Sequence, residues 1–171
     1  MGYSNISTKV STVRPVIRKA RFEDLNKCVY IAGVFHDGSQ FKDVTRYVTQ
    51  DAYEYAVKCL KSPNKLFMVY EKDQEIVGFF IASKNAVPWN KEQYVSSEDL
   101  FFILPEHKSP RIALKLFRAW EKWCREHGVH QMSFTPTSFV DENMDRWDSF
   151  CNALDFHRGG IYYKKVLNRA N

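Results

Sequence analysis

The sequence predicts an α/β (α+β) domain, a mixed central sheet of six to seven strands flanked by about four helices. Two observations carry this. Stretches rich in Val, Ile and Phe are interleaved with stretches whose apolar residues recur every three or four positions, in the order β α α β β β α β α β, the last strand open to being split. A hairpin then precedes a strand–helix–strand unit, so antiparallel and parallel pairings are expected in one sheet.

Each element has a local reason. Val13 to Ala20 (VRPVIRKA) alternates Val/Ile with Arg/Lys at its end and reads as the first strand. Glu23 and Asp24 suit a helix N-terminus ahead of the apolar positions Leu25, Cys28, Val29, Ile31, Ala32 and Phe35, and Asp37-Gly38 ends that helix. A second helix over Thr49 to Lys61 shows Tyr53, Ala56, Val57 and Leu60 on one face, and Ser62-Pro63-Asn64 stops it. Lys65 to Glu71 and Glu75 to Ser83 form a hairpin about a Lys72-Asp73-Gln74 turn. Asn85 to Ser97 is polar, holds a proline, and reads as an exposed loop. Leu100 to Leu104 (LFFIL) is apolar at every position, as in a strand buried on both faces.

Pro110 to His127 is the clearest helix: Ile112, Ala113, Leu116, Phe117, Trp120, Trp123 and Cys124 make one face, and Gly128 closes it. Val129 to Phe134 is a further strand. Asp141 and Glu142 open a last helix through Leu154, and Phe156 to Leu167 holds Gly159-Gly160 between strand-like arms.

Composition bounds the class. With 171 residues, 44% hydrophobic and 26% charged, the chain can bury one unaided core. Residues 1–12 are polar without an apolar run, so they read as a flexible leader rather than a secretory signal, ahead of a single domain over 13–171. No apolar stretch approaches the roughly 18 residues that cross a bilayer, which speaks against a membrane partner. Cys28, Cys59, Cys124 and Cys151 are far apart and form no paired motif, so they read as reduced packing residues of a cytoplasmic protein, and no metal site is expected. The net charge of +5 arises from scattered basic residues with no run of five or six, which argues against nucleic acid.

Two stretches carry a family resemblance. Leu100 to Trp120, LFFILPEHKSPRIALKLFRAW, resembles the central strand, Pro-Glu-His/Tyr turn and Gln/Arg-x-x-Gly-x-Gly/Ala loop that opens the long helix of the Gcn5-related N-acetyltransferases (GNAT). Phe150 to Leu167, FCNALDFHRGGIYYKKVL, resembles that family's closing Phe-Tyr-x-x-Leu-Gly-Phe segment and the strand after it. With the matching order of elements the resemblance covers about residues 13 to 167, and the motif spelling looks like that of divergent members from bacteriophage genomes.

The resemblance implies acetyl-CoA as co-substrate. A helix start presents unpaired amides and partial positive charge to a pyrophosphate. Lys108, Ser109, Arg111, Ile112 and Ala113 would form that cradle, with Pro110 at the first helical position. Arg111 stands where the family usually has glycine, which obstructs one close approach while supplying a cation. The bland reading of this segment is a capped helix start with two solvated cations. The backbone of Phe102, Ile103 and Leu104 would pair with the pantetheine arm where two strands splay, and Asn143 stands one residue from a family asparagine that contacts it; otherwise Asn143 is a helix-start residue.

For chemistry, Glu98 and Asp99 open the central strand where a GNAT base is often found, or are simply exposed strand-end carboxylates. Cys151 occupies the position of the tyrosine that protonates the leaving thiolate; it acts as that acid or merely packs. Tyr162 and Tyr163 are fallback acids or strand aromatics. The acceptor implied is an amine on a small molecule or protein, entering beside the first two helices and the Asn85–Ser97 loop with its Trp89, Glu92 and Tyr94. A homodimer through the last strand is a family habit. Because two signature positions differ, the alternative is a GNAT-fold protein that has weakened or lost catalysis and binds a partner.

Overall fold

The computed structural model describes residues 15–136, 144–160, 165 and 167. Along the chain run β1 (Val16–Lys19), α1 (Leu25–Asp37), α2 (Thr49–Lys61), β2 (Lys65–Lys72), β3 (Glu75–Val87), β4 (Asn90–Ile103), α3 (Pro110–Glu126), β5 (Val129–Ser133) and α4 (Met144–Asn152), with short 3-10 turns at Phe22–Asp24, Gln40–Asp43 and Pro105–His107. The strands lie in the order β1-β2-β3-β4-β5. The first four pair antiparallel, and β4 pairs parallel with β5 across α3. The sheet is mixed, as expected, and among the described residues four α-helices flank it.

Two expectations are corrected. Among the described residues the sheet has five strands, not six to seven. Of the closing strand-like arms expected over Phe156 to Leu167, Phe156 to Gly160 forms no strand, and residues 161–164 and 166 lie outside the described residues. The segment from Asn85 to Ser97 is not a loop. β3 runs on to Val87, Pro88 and Trp89 make the turn between the paired Val87 and Asn90, and β4 returns to Ile103. Proline is tolerated there because the turn needs no ladder donor from it. This hairpin projects past β2, whose pairing ends at Lys65 opposite Ser83, so its polar residues face water as those of a loop would.

Side chains alternate faces along a strand, and the two cores follow that period. Phe79 and Ile81 of β3 pack with Phe67 and Val69 against α1 and α2. Phe80 and Ala82 face the other way with Leu66 and Met68, against Leu116, Phe117 and Trp120 of α3. Phe117 sits at the centre of an aromatic cluster, edge-on to Phe101, Phe134 and Phe150, and this brings the end of β5 and α4 onto α3. Arg18 anchors the edge strand: its guanidinium grips Asp24 at 2.7 Å and Glu71 at 2.8 Å, and Asp24 is buried. Asp24 also accepts the Arg21 amide at 2.7 Å, so the first helical turn is tied to β1.

The β3–β4 contact depends on one glycine. A Cβ at Gly78 would lie 2.9 Å from the Phe102 carbonyl oxygen and 3.0 Å from Ile103 Cγ1. Gly78→Ala is expected to destabilise by about 2 kcal/mol, because backbone of a central strand has to give way. Urea unfolding measures it, and an unchanged midpoint would contradict the close approach.

Candidate active site

The site grows out of a bulge and a splay. Ala82 pairs with Glu98 and Ile81 with Leu100, so Asp99 is an extra residue in β4. Asp99 turns toward β2 and β3, where it accepts from Ser83 Oγ at 2.6 Å and Lys65 Nζ at 2.5 Å. Glu98 keeps the phase of Ser96, whose buried hydroxyl accepts the Trp120 indole N–H at 2.9 Å. The pairing of β4 with β5 stops at Ser97 opposite Ser133. Beyond it the two strands part, and the edge of β4 from Glu98 to Ile103 borders a cleft of about 1050 Å³.

One end of this cleft is the start of α3. Lys108, Ser109 and Ala113 line it. Ser109 is the N-cap residue, but its hydroxyl makes no capping bond. The amides of Ile112 and Ala113 both donate to the Ser109 carbonyl, and Pro110 has no N–H, which leaves the amides of Ser109 and Arg111 at the helix start without a partner among the described residues. The Lys108 ammonium sits 5.6 Å from the centre of the Phe102 ring, a cation–π contact that holds a positive charge at the cleft. Phe101 and Phe102 border the cleft without filling it: Phe101 packs edge-on against Phe117 and Phe102 against Phe35.

The other end holds the carboxylates. Burial, followed by the neighbouring charge of Asp99, pushes the Glu98 carboxyl up to about 7. Asp99 also lines the cleft, but its oxygens are committed to Ser83 and Lys65. A group that exchanges a proton near neutrality therefore stands beside one that is held in place by charged hydrogen bonds.

The remaining candidates fall differently. Phe102 and Ile103 line the cleft; Leu104 is buried and its amide donates to Val77 at 2.9 Å, so β3 already uses it. Ile112 packs into the core. Arg111 is exposed and is not among the cleft-lining residues, because the helix turns it outward. Cys151 is half-buried, does not line the cleft, and burial together with Asp148 pushes its thiol up. Trp89 is exposed at the hairpin tip and Tyr94 lies under Lys84, so neither they nor Glu92 walls the cleft. Asn143, Tyr162 and Tyr163 lie outside the described residues. Sequence reasoning missed Phe35, Phe41, Phe134 and Trp147, which border the cleft from four separate segments. The Trp147 indole N–H is buried without a partner among the described residues. Among those residues no group of three His, Cys, Asp or Glu side chains is placed to hold a metal, and no helix is long and apolar enough to cross a membrane.

A splayed β4–β5 pair in front of a helix N-terminus is the architecture that the sequence motifs resembled, and a family comparison agrees with it. The model of the acetyltransferase (GNAT) family matches residues 20–148. This chain belongs to the GNAT acetyltransferase family. Solved structures share the GNAT fold at low identity. A predicted acetyltransferase with acetyl-CoA from Clostridium acetobutylicum superposes with a TM-score of 0.70 at 13% identity, over 90% of this chain and 97% of that one. The aminoglycoside N-acetyltransferase AAC(6')-Iy in complex with CoA gives 0.68 at 18%, over 89% and 95%. A transcriptional regulator from Bacillus halodurans C-125 gives 0.68 at 20%, over 89% and 99%. Among curated proteins none matches the chain in sequence.

Proposed function

We propose that this GNAT protein is an acetyl-CoA dependent N-acetyltransferase acting on an amine. The observation that carries the reading is the single cleft joining the start of α3 to Glu98 along the unpaired edge of β4. Lys108 and the Ser109 and Arg111 amides would hold the pyrophosphate, and the β4 edge would face the pantetheine arm. Glu98 would take the proton of the attacking amine, and the CoA thiolate would leave. Structural neighbours with bound CoA or acetyl-CoA support the donor, and an aminoglycoside acetyltransferase in complex with sisomicin supports an amine acceptor.

Calorimetric titration with acetyl-CoA and with CoA tests the donor site. Binding in the roughly micromolar range is expected, weakened about tenfold or more in Lys108→Glu, where attraction to phosphate becomes repulsion. No binding of either ligand would overturn the reading. The position of Cys151 away from the cleft favours a second one, a CoA binder without turnover. Binding without acetyl transfer to any amine in a broad screen would select it.

A further inference from the structure

Resting on the transferase reading, we infer that the acceptor is a primary amine carried on a compact apolar body, aryl or branched alkyl, which seats in an annex between the sheet and the first two helices. The annex measures about 300 Å³. Its floor is Phe67, Phe79 and Ile81, and Ala32 and Ala56 form its roof. Phe35, Phe41 and Leu100 line both the annex and the main cleft, so these side chains alone form the wall that the two spaces share beside Asp99. An apolar cavity of roughly 150 Å³ already takes benzene, so this one has room for a ring and its linker.

The annex offers few polar atoms, and those of His36 and Tyr47 are already committed. His36 Nδ1 lies 3.1 Å from Asp37 and its Nε2 lies 2.8 Å from the Thr45 carbonyl. The Tyr47 hydroxyl donates to the Val29 carbonyl at 2.6 Å. Tyr55 is exposed, and the Lys65 ammonium lies 5.8 Å from the centre of its ring. No carboxylate lines the annex among the described residues. A polyhydroxylated or polycationic body would lose its hydration there and gain no partner. An apolar body loses nothing, and it leaves its ammonium at the junction where Glu98 and Asp99 stand. The annex lies on the α1 and α2 face, away from the α3 start where the CoA pyrophosphate is placed, and the acyl chain is the competing occupant that the test below separates.

The test is calorimetry on the CoA-saturated protein with 2-phenylethylamine, ethylamine and kanamycin. Phenylethylamine is expected to bind roughly 30-fold more tightly than ethylamine, and kanamycin more weakly than phenylethylamine. Ala32→Leu and, separately, Ala52→Leu, at two alanines that line the annex, fill it and should abolish that preference while CoA affinity stays unchanged. Hexanoyl-CoA and acetyl-CoA should bind alike. If phenylethylamine binds no better than ethylamine, or kanamycin binds best, the inference falls and the transferase reading stands. A gain in affinity with the length of the acyl chain would also overturn it, by placing the annex under the donor. Failure of CoA itself to bind would remove both.

Discussion

Glu98→Gln is expected to lower kcat by roughly 10²- to 10⁴-fold, the range a positioned general base contributes, while CoA binding is retained. The same substitution should stabilise the folded chain at alkaline pH. Glu98 is raised from 4.5 to about 7 in the fold, so the folded state binds its proton more strongly than the unfolded chain does. Below pH 4.5 the side chain is protonated in both states and has no cost. As pH rises through 7 the fold has to accept a half-buried charge, and stability is lost by at most about 3 kcal/mol. Glutamine carries no charge, so the variant should melt several degrees above the parent at pH 8 and level with it near pH 4. The parent's kcat/KM should rise with pH and level off above about 7, as the basic form fills. A pH-independent rate, or identical melting at pH 8, would remove Glu98 from the base role.

Trp120→Ala is expected to cost about 4 to 5 kcal/mol, enough to leave a marginal domain largely unfolded. Trp120 is fully buried, touches Phe80, Phe117 and Phe156, and donates to Ser96. Trp120→Phe is the informative variant. It keeps most of the apolar contact but strands the Ser96 hydroxyl, at a cost of about 1 to 2 kcal/mol. Ser96 pairs with Met132 one step before β4 and β5 part, so this hydrogen bond pins the root of the splay. Trp120→Phe should therefore weaken CoA binding several-fold as well as lower the urea midpoint. Normal CoA affinity in a destabilised but folded variant would show that the bond only supports the core.

Much of the architecture was legible because it is local. The apolar stripe of α3, the stop at Gly128 with its positive φ of 66°, and the β2–β3 turn at Asp73 and Gln74 all follow from residues close in sequence. The Asn85–Ser97 segment resembles a loop for a physical reason: the tip of the hairpin, up to Gln93, projects past β2 and is largely exposed, so its composition matches that of a loop. Within the site, Lys108 and Ser109 were legible from a Ser-Pro start before an amphipathic helix. Arg111 was not, since its direction depends on how α3 is rotated against the sheet.

The sequence by itself determined most of the order and kind of the elements up to α4 and the mixed sheet, because periodicity, caps and turns act over a few residues; the GNAT resemblance rested on motif spelling, and the family model bears it out. Only the tertiary structure decided which of two adjacent carboxylates is tied down. The bulge at Asp99 turns that residue onto Lys65 and Ser83, distant in the chain, and leaves Glu98 half-buried beside the cleft. It likewise brought Phe35, Phe41, Phe134 and Trp147 to one space, since cavities are made by contacts across the chain and sequence spacing does not record them.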